Sequence, residues 1–156
     1  IKVLNGNLYR NIEWPVVVML AAMIPVGQAL ETSGISLNIA NFISTTTHGM
    51  DLPWLILMIL VITMFVSDIV NNAATAVIMA PIAANLALQV GQPVEPFLMA
   101  VAVGASCAFL SPIGHQCNTL VMAPGNYKFG DYWRLGLPLE CVIVAISIPM
   151  ILFVWT

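Results

Sequence analysis

Ser67-Asp68-Ile69-Val70-Asn71-Asn72-Ala73-Ala74-Thr75 stands in the middle of an apolar run that extends from Leu52 to Val90. The run is about twice the ~20 residues that one helix needs to cross a bilayer. As one straight helix it would set a carboxylate and two adjacent amides at the membrane centre, where polar groups are costly. A turn is the economical alternative. One helix enters, the chain turns at Asn71-Asn72, and a second helix leaves. Two such helices make a re-entrant hairpin or two spans. Irregular backbone at that depth has to be buried in protein or line a cavity. The stretch therefore predicts a helical hairpin over residues 52–90.

The rest of the chain fits a bilayer as its solvent. Of 156 residues, 60% are hydrophobic and only 7% charged, where a soluble domain carries about a quarter charged residues. Mean hydropathy is +0.98. The net charge of -3 comes with no basic cluster, which removes the electrostatic footprint of a nucleic-acid binder. The fold class expected is an all-α membrane protein. The opening Ile1-Lys2-Val3-Leu4-Asn5-Gly6 has none of the parts of a signal peptide and reads as the tail of an earlier segment. Cys107, Cys117 and Cys141 form no CxxC, and the two histidines, His48 and His115, are far apart in sequence. They are expected to be buried free thiols, not zinc ligands.

Working outward from the hairpin, Trp14 to Leu30 is an apolar run about 26 Å long as a helix, with Pro25 and Gly27 near its end. It is expected to cross the membrane once. Residues 31–51 are polar but carry Ile35, Leu37, Ile39 and Phe42, which fits an amphipathic helix at the membrane surface. Asp51-Leu52-Pro53 reads as a helix start. Residues 97–123 are expected to form a broken span. Phe97 to Leu110 has a helical pattern, Ser111 to Thr119 interrupts it, and Leu120 to Ala123 resumes. The last span is expected over 135–155. The four cations, Lys2, Arg10, Lys128 and Arg134, lie in two clusters. If both clusters are cytoplasmic, an even number of crossings separates them. That agrees with a hairpin. It puts the N-terminal end inside and the C-terminus outside.

The two breaks are the informative features. Discontinuous helices near the midplane point to a transport site. A helix N-terminus favours an anion through its free N–H groups and dipole. Unwound carbonyls and Asn or Ser oxygens replace the water around sodium. Small residues such as Ala73, Ala74, Ala105, Ser106 and Gly114 let backbone come close. Asn72 offers both an amide oxygen and an amide N–H. It is either a site residue or a cap that satisfies the hairpin tip. Asp68 is an intramembrane carboxylate with candidate roles in capping, sodium attraction and proton coupling. His115 and Gln116 either face an anion or bond the unwound backbone. Glu140 either snorkels or pairs. His48 receives no role.

At these residues the chain resembles a known family. Asn71-Asn72-Ala73-Ala74-Thr75-Ala76-Val77-Ile78-Met79-Ala80-Pro81-Ile82 is similar to the hairpin signature of the divalent anion:sodium symporters, the sodium/sulfate/dicarboxylate carriers of the ion transporter superfamily. There the motif commonly reads Ser-Asn-Thr, then Ala-Thr-Ala and a proline. Gly104-Ala105-Ser106-Cys107-Ala108-Phe109-Leu110-Ser111-Pro112 resembles the second signature, followed by an asparagine that matches Asn118. Residues 12–34 resemble the opening of the C-terminal half. The resemblance covers nearly the whole chain. Residues 111–121 look most like the bacterial sulfate-permease branch.

The resemblance implies one half of an inverted-repeat, elevator-type transporter. It implies sodium at Ser67, Val70, Asn72 and Gly114, and the anion at Asn72, Ala73, His115 and Gln116. Asn71, Thr75 and Asn118 lie on the same signatures. No cofactor is implied beyond Na+ as coupling ion. Implied partners are a small anion, the lipid bilayer, an N-terminal half of the same carrier and a second copy in a homodimer. The bacterial inner membrane is the implied location. Two departures fall on the substrate side: Ala73 replaces the family's tip hydroxyl, and His115-Gln116 replaces Thr-Pro. They favour sulfate over a dicarboxylate. The alternatives are a proton-coupled carrier using Asp68, a non-transporting membrane subunit, and an intramembrane hydrolase using Ser67 or Ser111. No Gly-x-Ser-x-Gly or His-Glu-x-x-His supports the last.

Overall fold

The computed structural model describes residues 14–47 and 49–155. Lys2, Tyr9, Arg10, Glu13 and His48 lie outside the described residues. Among those described, the regular structure is helical: α1 (Trp14–Thr32), α2 (Ile35–Thr46), α3 (Leu52–Ile69), α4 (Asn72–Gln89), α5 (Glu95–Ala105), α6 (Gln116–Met122) and α7 (Phe129–Trp155). Three of these, α3, α4 and α7, are long and apolar enough to cross a membrane.

The buried positions of α3 run Leu55, Ile56, Ile59, Leu60, Thr63, Met64, Ser67 and Asp68. That is one stripe of a 3.6-residue period. The same stripe that packs α3 therefore delivers Ser67 and Asp68 to its inner end. Trp54, Phe65 and Ile69 point away and are exposed. α5 repeats the pattern with Pro96, Phe97, Ala100, Val101, Gly104 and Ala105, and it packs against both α3 and α4. Between apolar helices in lipid, close packing replaces the hydrophobic effect as the driving force. Gly104 supplies it here. A Cβ at that position would sit 2.9 Å from the Leu60 carbonyl and 2.9 Å from Thr63 Cβ.

α2 starts after Gly34, which takes a left-handed φ of 70°. It packs on α4 through its small residues Ser36 and Ala40, with Asn85 Nδ2 donating to Ser36 Oγ at 3.4 Å. Its large apolar side chains, Ile35, Leu37, Ile39 and Phe42, are exposed.

The broken segment departs from its sequence-based bounds. α5 ends at Ala105, not Leu110, and α6 begins at Gln116, inside the stretch expected to be irregular. The Ser106 and Cys107 N–H groups turn to carbonyls only three residues back, those of Val103 and Gly104. This is the tight closing turn of a helix. Pro112 then bars the helix from resuming. α7 starts at Phe129, ahead of the expected Leu135, because Asp131 Oδ2 accepts from the Lys128 N–H at 2.8 Å and caps the first turn. Of the cysteines, Cys107 is buried as expected, whereas Cys117 and Cys141 are exposed. Both of the latter lie on thinly covered helices that show much of their surface.

Candidate functional site at two helix breaks

Between α3 and α4 the chain leaves the helix for two residues. Val70 (ψ 159°) and Asn71 (ψ 154°) are both extended. The Asn71 side chain caps α4 by accepting from the Ala74 N–H at 2.8 Å, and its carbonyl accepts from Thr75 N–H at 3.0 Å. The turn falls one residue earlier than Asn71-Asn72 suggests, and Asn72 is the first residue of α4. Four N–H groups open any helix without partners inside it. The Asn71 side chain takes one of them, that of Ala74, and those of Asn72 and Ala73 have no protein partner.

The second break, residues 106–115, packs directly on the first. The Ser67 hydroxyl donates to the Ala105 carbonyl at 2.8 Å and lies 3.0 Å from Asn72 Oδ1. A hydroxyl has one proton. Only one of these oxygens can receive it, so the remaining contact is between two oxygens. The Asn72 amide can turn and donate to the hydroxyl; in the other orientation the three oxygens could hold a cation. The C-terminal ends of α3 and α5 meet at this point, and helix C-termini carry partial negative charge.

Gly114 closes the cluster. A Cβ there would lie 2.7 Å from the Ser67 carbonyl oxygen, 2.7 Å from Ala108 Cβ and 3.1 Å from Asp68 Cα. Only glycine allows that approach. The loop is held in place by its own polar side chains. Ser111 Oγ donates to the Asp68 carbonyl at 2.5 Å and accepts from the Ile113 and Gly114 N–H groups at 3.2 and 3.1 Å. Asn118 Nδ2 donates to the carbonyls of Ala108 at 2.8 Å and Ser111 at 3.1 Å. Thr119 Oγ1 donates to the Pro112 carbonyl at 2.6 Å.

The structure thus brings Ser67, Asn72 and Gly114 to one place, with Val70 and Asn71 forming the turn beside them. Thr75 is fully buried one turn into α4, and its hydroxyl has no partner. Asp68 accepts from the Leu110 N–H at 2.9 Å and is 6% exposed. His115 is exposed and caps α6, with Nδ1 accepting from the Cys117 N–H at 3.1 Å. That bond leaves its Nε2–H pointing out as a donor. Gln116 is the first residue of α6. Asn118 faces the loop backbone and acts as its brace. Sequence reasoning missed the Ala105 carbonyl, because a backbone oxygen has no letter of its own. It also left Glu140 undecided. Glu140 lies on α7 with its Oε1 buried and without a partner, and a lone acid inside an apolar helix was its only signal.

An all-helical chain with several apolar helices and two breaks packed together is the architecture of a membrane transporter. The sequence matches the citrate transporter family over residues 3–104 and again over 51–156. The chain belongs to this family, and it is an integral membrane protein. Its two signatures relate it to the sodium/sulfate/dicarboxylate symporters. It is 39% identical over 149 residues to an uncharacterized transporter of Escherichia coli strain K12, covering 93% of this chain and 24% of that protein. It is 38% identical over 146 residues to an uncharacterized transporter of Synechocystis, covering 94% and 24%. It is 34% identical over 147 residues to a probable sodium/sulfate cotransporter of Chlamydomonas reinhardtii, covering 92% and 16%. The chain therefore spans a quarter or less of each of these relatives.

Proposed function

We propose that this chain forms one half of the ion and anion site of a sodium-coupled symporter for small divalent anions, with sulfate favoured over dicarboxylates. The convergence of Ser67 Oγ, Asn72 Oδ1 and the Ala105 carbonyl at two helix C-termini carries this reading. Hard cations take oxygen ligands, and broken-helix carbonyls supply them in sodium-coupled transporters. The Val70 turn and the close approach of Gly114 to Ser67 add backbone to the same place. On the other side of the turn, the free N–H groups of Asn72 and Ala73 suit an anion. His115 Nε2–H is a further donor at the second break.

Sulfate presents oxygens on all sides and asks for N–H and amide donors. The tip offers these and lacks the hydroxyl that the dicarboxylate carriers place at the position of Ala73. In this reading α3 and α4 form the re-entrant hairpin, and a second, inverted half of the carrier completes the anion site. Lys128, just ahead of α7, and Arg134, in its second turn, are both exposed, and the positive-inside rule assigns them to the cytoplasmic side. The test is uptake of labelled sulfate by the whole carrier in proteoliposomes, with and without a sodium gradient. Sodium-driven uptake that Asn72→Ala abolishes supports the reading. Sodium-driven uptake of succinate alone changes the substrate and keeps the mechanism. Uptake indifferent to sodium overturns the coupling.

A further inference from the structure

Two serines stand at the meeting of the breaks, and their hydroxyls differ in what they leave free. A hydroxyl has one proton and two lone pairs. Ser111 uses all three. Its Oγ donates to the Asp68 carbonyl at 2.5 Å and accepts from the Ile113 and Gly114 N–H groups at 3.2 and 3.1 Å. Nothing remains on it for an ion or an anion. Ser67 donates to the Ala105 carbonyl, and no N–H or O–H donates to its oxygen.

What Ser111 holds is the spacing between α3 and the loop. The last four carbonyls of a helix have no partner inside it. Here Val66 receives the Val70 N–H, and Asp68 receives Ser111. The Ser67 carbonyl between them faces Gly114, where a Cβ would lie 2.7 Å from it. One hydroxyl thus ties Gly114, through its N–H, to the helix end that Gly114 touches. Among the described residues no other loop side chain bonds both. Asn118 bonds the carbonyls of Ala108 and Ser111, Thr119 bonds that of Pro112, and His115 bonds the Cys117 N–H.

We propose that Ser111 is a positioning residue of the cation cluster: it fixes the end of α3 against Gly114 and so sets how tightly sodium binds, without touching the ion. The inference rests on the sodium reading of Ser67, Asn72 and Ala105. Oxygens already held in place bind a cation without first being ordered, and groups that orient ligands tune metal affinity for this reason. Without the Ser111 hydroxyl, the Asp68 carbonyl and two loop N–H groups lose their partner together. The loop is then free to shift against α3, and the ion has to order both.

The test is thermal unfolding of the whole carrier in detergent micelles, with sodium replacing choline at constant chloride. A ligand that binds only the folded state raises the midpoint once its concentration passes its dissociation constant. The wild-type midpoint is expected to rise with sodium. In Ser111→Ala the same rise should need about tenfold more sodium, the scale on which losing a ligand-orienting group acts. Ser111→Thr keeps the hydroxyl and should respond as wild type does. Thr119→Val is the control, because it removes a hydrogen bond of the same loop that does not reach α3. It should lower the midpoint in choline and leave the sodium dependence unchanged. If Ser111→Ala does not fold, Ser111→Cys, with its weakly donating thiol, should move the sodium dependence in the same direction. An unshifted dependence in Ser111→Ala, or in Ser111→Cys where it stands in, overturns the proposal. So does an equal shift in Ser111→Thr or Thr119→Val. A wild-type midpoint indifferent to sodium overturns the sodium reading and this inference with it, an outcome distinct from failure of Ser111 alone.

Discussion

The hydroxyl of Ser67 donates to the carbonyl of Ala105 over 2.8 Å and joins the C-terminal ends of α3 and α5. Two helix ends of like partial charge lie side by side there, with Asn72 Oδ1 3.0 Å from the same hydroxyl. In the proposed symporter a sodium ion offsets that charge. Ser67→Ala removes one oxygen from the cluster, and the loss of one such contact, about 1.4 kcal/mol, corresponds to a tenfold weaker affinity. The sodium concentration for half-maximal uptake is expected to rise by about tenfold on that basis. Ser67→Thr keeps the hydroxyl but adds a methyl at a fully buried position, so its sodium dependence should stay closer to wild type than that of Ser67→Ala. An unchanged sodium dependence in Ser67→Ala would remove Ser67 from the site.

The two adjacent asparagines are expected to separate cleanly. Asn71 is a helix cap, and its loss in Asn71→Ala should destabilise the carrier by about 1 kcal/mol. Asn71→Ser should recover most of that. Sodium affinity should change little in either, since the Asn71 side chain is occupied with the Ala74 N–H. Asn72→Ala should do the reverse and lose uptake with little change in the unfolding midpoint. Thermal unfolding and uptake on the same preparations decide between cap and ligand for each residue.

How far these features were legible depends on whether their causes are local. The break near Asn71-Asn72 was readable, because a carboxylate and two amides are costly in a straight apolar helix. The two signatures around Asn72 and Ser111 likewise marked where chemistry lies. The end of α5 was not readable. Ser106 to Leu110 looks helical by composition, but its N–H groups find acceptors such as Asp68, 42 residues earlier. The start of α7 was hidden for a smaller reason. A single Asp131 side chain converts what reads as loop into the first helical turn. Val70 and Gly114 were expected near the ion on likeness alone. Gly114 now has a physical reason, which is the absence of room for a Cβ.

That lack of room makes Gly114 testable. Gly114→Ala must push the second break away from the Ser67 carbonyl and Ala108, and overpacking of this kind costs about 1–3 kcal/mol. The same shift should weaken sodium binding, since it moves Ala105 and Ser67 relative to each other. Gly130→Ala is the control. It lies in the first turn of α7, and a Cβ there would meet nothing nearer than Trp133 at 4.0 Å. That substitution should be neutral or stabilising by up to about 1 kcal/mol. Equal losses in the two variants, read by thermal unfolding, would mean that glycine flexibility matters and close approach does not.

The second break is also held from α7. Tyr132 donates to the Asn118 carbonyl at 2.7 Å, while the Asn118 side chain braces the carbonyls of Ala108 and Ser111. Tyr132 and Tyr127 pack edge to face with ring centroids 6.2 Å apart. Tyr132→Phe keeps the ring contact and removes only the hydrogen bond, which is worth about 1 kcal/mol. Tyr127→Phe keeps the same ring contact, and its exposed hydroxyl bonds no protein group. The first variant should lower the unfolding midpoint and the second should not. Asn118→Ala should cost more than either, because it strips two partly buried loop carbonyls of their donor. If Tyr132→Phe matches wild type while Asn118→Ala does not, the loop is braced by its own residues and α7 is only a neighbour. If both fall, the last helix takes part in shaping the site.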